Sequence, residues 1–587
     1  MPLEIPEVIR RRLLEHLHHL YDPGVVPDVA ERLASRLERF LADAAARSEV
    51  VRQPLSEKTA VLITYADQIT EPAVAPLRTL ADTAHRLLRE RITHIHILPF
   101  FPYSSDDGFS VVNYEAVNPS HGTWDDVHHL AERFELMFDL VINHVSSQSR
   151  WFQGFLADEP EYRDYFITVP ADADLSSVVR PRALPLLTEV ETAAGPKKVW
   201  TTFSADQIDL NYANPEVLLR VLDILLKYVE HGARWVRLDA VAFLWKEIGD
   251  PCIHCLQTHH IVKLLRTALD AVAPGVLLIT ETNVPHDENI QYFGNGRNEA
   301  QMVYQFSLPP LVVDAFLEGS AASLRRWAQT LQPPPGDATF FNFLASHDGI
   351  GLRPVEGLIP QARIEAMAHQ TLRNGGRVSY RLDPDGRKSA YELNISFIDV
   401  LCHPDGGETL DVQARRFLTA QAIMLGLAGV PGIYAHSLFG SRSWGEGVDK
   451  TGENRAINRE KLNKQALLDE LRDPTSLRSM IFGGYLKLLH TRAGAPAFHP
   501  QASQRIVHLD DRLFCILRDV PTRHRVLCLS NVSSEKVSVS LEESGIAEQL
   551  EGRLVDLLGS ELEWTNTRGY SLTVRPYDTL WVTEATA

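Results

Sequence analysis

With 587 residues the chain is too long for one ordinary hydrophobic core, so a large domain carrying smaller attachments is expected. Hydrophobic residues at 44% and charged residues at 23% are the balance of a globular enzyme rather than of a fibrous, disordered or membrane-embedded chain. The 58 Lys and Arg against 76 Asp and Glu, a formal charge of −18, argue against nucleic acid or an anionic membrane surface as the main partner. Any anionic substrate must then be met by a local basic cluster.

Residues 5 to 50 read as two amphipathic helices, with Ile9, Leu13, Leu17 and Leu20 on one apolar face and Val29, Leu33, Leu37 and Phe40 on another. Asp28 followed by Glu31 has the form of a capping box opening the second helix. His16, His18 and His19 read as a solvated face of the first, and both helices are expected to pack on the outside of the main domain. The early arginines interrupt any apolar core that a secretory signal would need, and no stretch approaches the roughly 20 apolar residues of a membrane span. Five scattered cysteines suit a reducing compartment, so a cytoplasmic location is expected.

Farther along, apolar strand-like runs at 60–65, 94–100, 137–143, 234–239, 276–281, 302–306, 339–346 and 430–434 alternate with helix-length segments. Eight such units predict an α/β fold, a (β/α)8 TIM barrel, with functional side chains at the C-terminal ends of the strands. Two excursions interrupt it. Residues 144–213 are rich in proline and aromatics. Across 350–410 the helical pattern loosens into the turn signals Asn374-Gly375-Gly376 and Asp383-Pro384-Asp385-Gly386. Cys252 and Cys255, with His254, His259 and His260 nearby, form a C-x-x-C that lacks a second ligand pair at zinc-finger spacing, so a helix-entry loop with small buried thiols is expected. From 494 short alternating runs, the last over 570–583, predict an all-β tail.

Polar residues gather where the barrel runs stop. Arg237 and Asp239 end one run two positions apart, and in a strand such residues share a face, so the guanidinium can hold the carboxylate ionised. Glu281 ends a second run, Ser346-His347-Asp348 a third, and Asn143-His144 an earlier one.

In order, spacing and residue type these four strand ends resemble the four signature segments of the α-amylase superfamily of retaining glycosidases and transglycosidases. The resemblance covers the chain from about residue 57. It implies Asp239 as nucleophile, Glu281 as general acid/base and Asp348 as the acid that stabilises the transition state. It further implies His144 and His347 as ligands of the reacting glucose, Arg237 as the residue fixing Asp239, and Asn143 as a brace. The domain division it suggests is an N-terminal helical extension (1–56), a barrel (57–143, 214–349 and 411–493), inserted domains B (144–213) and B′ (350–410), and a C-terminal β domain (494–587).

Leu98-Pro99-Phe100-Phe101, the Ser105–Phe109 segment and His347-Asp348-Gly349-Ile350-Gly351 are similar to the sucrose phosphorylase subgroup, which transfers a glucosyl unit to phosphate. That resemblance implies Asp106 and Arg459 as the grip on the glucose 4- and 6-hydroxyls, closing the pocket beyond one sugar. It implies Phe109, Phe203 and Gln207 along the sugar and Arg182 as the phosphate ligand. The chain departs from sucrose phosphorylase on the leaving-group side, where Asn283 replaces a histidine and the 389–396 loop carries Tyr391 and Glu392. In these departures it resembles the glucosylglycerate phosphorylases of the same family. They imply inorganic phosphate and D-glycerate as co-substrates, with Asn283, Tyr391 and Glu392 toward the acceptor and Arg377, Arg381, Arg387 and Lys388 as a cationic surround. Sucrose, sucrose 6-phosphate or glucosylglycerol as substrate, plain hydrolysis, or an inactive binding subunit are the competing readings. No nucleotide, flavin or metal is expected, and the oligomeric state is open.

Overall fold

A computed structural model describes residues 4–44, 54–170, 172–182, 184–382, 387–521, 524–541, 550, 553–562 and 571–585. The barrel strands are β1 (Val61–Thr64), β2 (His94–Ile97), β3 (Glu135–Val141), β4 (Ala233–Asp239), β5 (Leu277–Thr280), β6 (Met302–Tyr304), β7 (Thr339–Asn342) and β8 (Val430–Tyr434). Each pairs in parallel with its neighbours in chain order, and β1 closes on β8, giving the expected (β/α)8 barrel. Such strands are covered on both faces, which is why they read as continuous apolar runs rather than alternating ones. Several end earlier than their apolar runs. The run at 94–100 leaves the sheet after Ile97, just ahead of Pro99, which has no N–H to give a ladder.

Helix α1 (Glu7–Leu20) lies on α4 (Leu256–Val272), and α2 (Val26–Ala44) on α3 (Pro215–Glu230), both on the barrel exterior. The α1 residues Leu13 and Leu17 and the α2 residues Leu33 and Leu37 join the barrel's own core. Arg32–Glu216 at 2.5 Å and Arg36–Asp223 at 2.9 Å fix the second helix pair. Two expectations need correcting here. Helix α2 starts at Val26, so Asp28 lies inside its first turn and bonds Arg32 at 3.4 Å instead of capping the end; Pro27, with no N–H to satisfy, suits that first turn. The histidine face is not wholly solvated, since His16 Nδ1 lies 3.2 Å from His260 Nδ1 and the His19 ring stacks on His260 at 3.8 Å.

After β3 the chain makes a hairpin, Leu187–Thr192 with Gly195–Trp200, over a small core of Val169, Val178, Leu186 and Trp200. Cys252 buries its thiol in that core, which gives the C-x-x-C loop a packing role. After β7 the excursion is more regular than its sequence: helix Gln361–Arg373 buries Ile364, Met367, Ala368 and Thr371, and strands Arg377–Leu382 and Lys388–Asn394 form a hairpin. Polar residues around only four buried positions hid that helix. The turn at Asp383–Gly386 lies outside the described residues.

The C-terminal strands form a five-stranded sheet and a two-stranded ribbon. Along strand Leu513–Asp519, Leu513, Cys515 and Leu517 face the sheet's own core, while Phe514 and Ile516 face the barrel, as a period of two requires. The single run expected over 570–583 is two strands, Ser571–Val574 and Thr579–Glu584, separated by Tyr577 with φ 52°; Tyr570 lies outside the described residues.

Candidate active site

Strand β4 delivers the first charges. Its register sets Arg237 beside Asp139 of β3 and Ile279 of β5, so three adjacent strands converge on one guanidinium. Arg237, 2% exposed, bonds Asp139, holds Asp239 at 2.9 Å and reaches Glu281 at 3.7 Å. Just past the strand Ala240 adopts a left-handed turn (φ 49°), which lets its N–H donate to Glu281 Oε2 at 3.1 Å. Behind this group His96 Nε2 bonds the other Asp139 oxygen at 2.6 Å. Burial pushes the Asp239 and Glu281 carboxyls above their ordinary range, against the pull of Arg237. Asp239 and Glu281 draw unequally on that guanidinium, Asp239 at 2.9 Å and Glu281 at 3.7 Å.

The opposite wall comes from the segments after β2, β7 and β8. Asp106 and Asp107 both hold positive φ (51° and 49°), and Gly108 is required beside them because a Cβ there would come 2.5 Å from the Pro99 carbonyl. Asp206 clamps this strained loop, accepting hydrogen bonds from the hydroxyls of Ser104, Ser105, Ser110 and Ser147. Arg459 then bridges Asp106 at 3.1 Å and the His347 carbonyl at 3.0 Å. Arg455 binds Asp348 at 2.5 Å and Glu392 at 2.6 Å. The cations keep Asp348 below the usual carboxylate range despite its burial, and burial lowers His347 to about 3, leaving a neutral ring stacked on Phe109 at 4.5 Å. The result is a pocket with an ionised acid on one wall and, on the other, two carboxyls drawn to one guanidinium.

The alpha amylase catalytic-domain family model matches residues 88–348. Glucosylglycerate phosphorylase of Spirochaeta thermophila is 51% identical over 528 residues, covering 89% of this chain and 89% of that one. The glucosylglycerate phosphorylase of Escherichia coli is 42% identical over 579 residues, 98% of this chain and 100% of that one. The chain belongs to the glucosylglycerate phosphorylase family. A wider relationship is structural: the crystal structure of sucrose 6F-phosphate phosphorylase from Thermoanaerobacter thermosaccharolyticum superposes with a TM-score of 0.71 at 26% identity, covering 84% of this chain and 97% of that one.

Within this glucosylglycerate phosphorylase family member, the pocket brings together most residues singled out from sequence: Asp106, Phe109, His144, Arg182, Phe203, Gln207, Asp239, Glu281, Asn283, His347, Asp348 and Tyr391 all line it. Arg237, Arg459 and Glu392 stand behind the wall and act on carboxylates or arginines that do line it. Asn143 is fully buried between Lys246, Asp209 and His144. His144 faces the pocket with both ring nitrogens engaged: Nδ1 accepts from Asn143 and Nε2 donates to the Phe109 carbonyl at 3.0 Å.

The cationic surround differs from expectation. None of Arg377, Arg381, Arg387 or Lys388 lines the pocket, and Arg381 pairs with Glu356 at 2.7 Å. The arginines of the wall are Arg182, Arg353 and Arg455. Arg455 could have been found as the residue one helical turn before Arg459; Arg353 follows the His347–Gly351 motif by two positions and has no signal of its own. Among the described residues no group of three or more His, Cys, Asp and Glu is arranged to hold a metal ion, and no helix is long and apolar enough to cross a membrane.

Proposed function

We propose that this chain is a retaining α-glucoside phosphorylase that interconverts 2-O-α-D-glucosyl-D-glycerate and phosphate with α-D-glucose 1-phosphate and D-glycerate. The observation that carries the chemistry is one buried guanidinium, anchored on Asp139, serving the two pocket carboxylates unequally, Asp239 at 2.9 Å and Glu281 at 3.7 Å. It supports a charged nucleophile beside a protonated acid, the pair that double displacement needs. Glu281 gives its proton to the glycosidic oxygen as the C1–O bond to glycerate breaks and an Asp239 oxygen bonds C1. A phosphate oxygen then attacks C1, its proton passes to the Glu281 carboxylate, and Asp239 leaves with its electron pair. Asp348, ionised between Arg455 and Arg459, faces the sugar hydroxyls and favours the oxocarbenium-like transition state.

Arg182 suits phosphate, because its guanidinium lies over Phe203 at 5.6 Å and among the described residues makes no ion pair. Asp106, held by Arg459, ends the sugar pocket and limits transfer to one glucosyl unit. The same reading places domain B at 144–213 and domain B′ at 350–410, each contributing to the wall through Arg182 and Tyr391. A cytoplasmic location fits five cysteines that are all free thiols.

The test is a panel of acceptors offered glucose 1-phosphate. D-glycerate is expected to be used ahead of fructose, glycerol and fructose 6-phosphate, with phosphate released in step with transfer. Preference for fructose would leave a glucosyl phosphorylase of another acceptor, and release of free glucose alone would leave a hydrolase.

A further inference from the structure

The three arginines of the pocket wall differ in what they have left to offer. Arg455 is neutralised by Asp348 and Glu392, at 2.5 and 2.6 Å. Arg182 lies over Phe203, and its charge acts on Asp106 in the sugar end of the pocket. Arg353 stands elsewhere, on the turn that follows strand Ile350–Gly351. The hairpin strand Lys388–Asn394 pairs with that short strand, and Leu352 N–H donates to the Tyr391 carbonyl at 2.9 Å, so the turn is held by backbone. Its guanidinium reaches Glu288 Oε2 at 3.4 Å, and the same oxygen lies 3.2 Å from His254 Nε2. A carboxylate shared at those distances orients Arg353 without saturating its five donors.

Asn283 gives a second, independent observation. It lines the same pocket two residues beyond Glu281, and its side-chain Oδ1 is buried without a hydrogen-bond partner. Gly351 packs against this amide so tightly that a Cβ there would come within 2.5 Å of it. The amide is therefore held in place on the wall that Arg353 also lines.

We infer that Arg353 is a further specificity residue of the acceptor side, beside the Asn283 already assigned there, its guanidinium taking the carboxylate of a 2-hydroxy acid. This rests on the glucosylglycerate reading and names the residues that carry its specificity. In such a donor the carboxylate is attached to the carbon that bears the glycosidic oxygen, so its cation has to stand close to the segment that delivers Glu281. Arg353 does so through Glu288, which lies in helix His286–Asn289 on that segment. A neutral triol offers Arg353 no charge and forgoes the contact.

Glucosyl transfer from glucose 1-phosphate to D-glycerate and to glycerol, compared in the parent protein, Arg353→Gln, Arg353→Lys and Asn283→Ala, tests the assignment. Arg353→Gln should lose about ten- to a hundredfold more kcat/KM with D-glycerate than with glycerol, chiefly in KM. Arg353→Lys should recover part of that loss, because charge returns without the planar fork. The ratio between acceptors does not depend on how much of a variant is folded. Equal losses on both acceptors, or an unchanged preference in Arg353→Gln, overturn the inference. A parent protein that prefers fructose or glycerol removes the glucosylglycerate reading itself, and the inference with it, before any variant is made.

Discussion

Two pairs of buried arginines lie in different parts of this molecule and behave in opposite ways. Arg237 and Arg455, at the barrel mouth, face carboxylates, and those carboxylates raise both well above the ordinary arginine value in spite of burial. Arg492 and Arg518, at the seam between the barrel and the C-terminal sheet, hydrogen-bond only main-chain carbonyls among the described residues. Arg518 donates to Gly426 and His499 at 2.8 Å, and Arg492 to Thr59 at 3.2 Å and Phe498 at 3.1 Å. Burial pulls Arg518 down to about 10 and Arg492 down to about 9, Glu57 offsetting the second only in part. A buried arginine among carboxylates stores reactive charge; one among carbonyls is a strut that ties chain segments together.

The sharpest way to break this contrast is to remove a partner from each side. Asp239→Ala should lower phosphorolysis on the order of 10⁴-fold or more, because the glucosyl-enzyme forms on that carboxylate, while its melting temperature stays at or above that of the parent. Retained turnover within tenfold would take Asp239 out of the nucleophile role. Arg518→Met should do the converse, leaving kcat/KM per folded molecule within about twofold and lowering the melting temperature on the order of 5 °C, since several buried carbonyls lose their donor.

Glu281 refines the active-site half. Its carboxyl is pushed up by burial, so kcat/KM should decline as pH rises through that raised value and the proton is lost. The same shift makes Glu281 a group whose stabilising contribution is complete below its unfolded value and disappears as pH rises through the folded one. In Glu281→Gln the high-pH decline should vanish and turnover of the glucoside should collapse, yet α-glucosyl fluoride should restore the first step. A high-pH limb that persists in the variant belongs to another group.

Smaller effects are expected at the anion side. Arg182→Ala removes a charge-assisted contact of about 1.5–3 kcal/mol, so phosphorolysis should fall about ten- to a hundredfold while hydrolysis of the same donor changes far less. Parallel loss of both rates would assign Arg182 to the fold of domain B. The smallest effect is that of dialysis against a chelator, which should leave activity unchanged; a loss restored by calcium would count against the metal-free chemistry derived above.

The contrast between the arginine pairs also explains what the sequence could disclose. Arg237 is legible because its partner is a side chain two positions away on the same strand face, and Asp239, Glu281 and Asp348 are legible because each ends an apolar run. Arg518 is not, since its partners are backbone carbonyls of residues 426 and 499, which no side-chain pattern records. Arg353 escaped notice for a related reason: its place depends on a hairpin paired with Ile350–Gly351 and on Glu288 from another strand's loop. The cations that did stand out, Arg377, Arg381, Arg387 and Lys388, cluster in sequence and do not line the pocket. Proximity along the chain located the strand ends well and the cations of the pocket wall badly, because strands carry their neighbours in register and loops do not.

The central claim, a glucosyl-enzyme on the carboxylate that Arg237 holds, is tested most directly by trapping it. Glu281→Gln supplied with α-glucosyl fluoride and no acceptor, then digested and mapped by mass spectrometry, should carry one hexosyl unit on the peptide containing Asp239, removed by D-glycerate only as slowly as the missing base allows. A hexosyl unit on any other side chain, or no adduct while fluoride is still released with inversion, would contradict it.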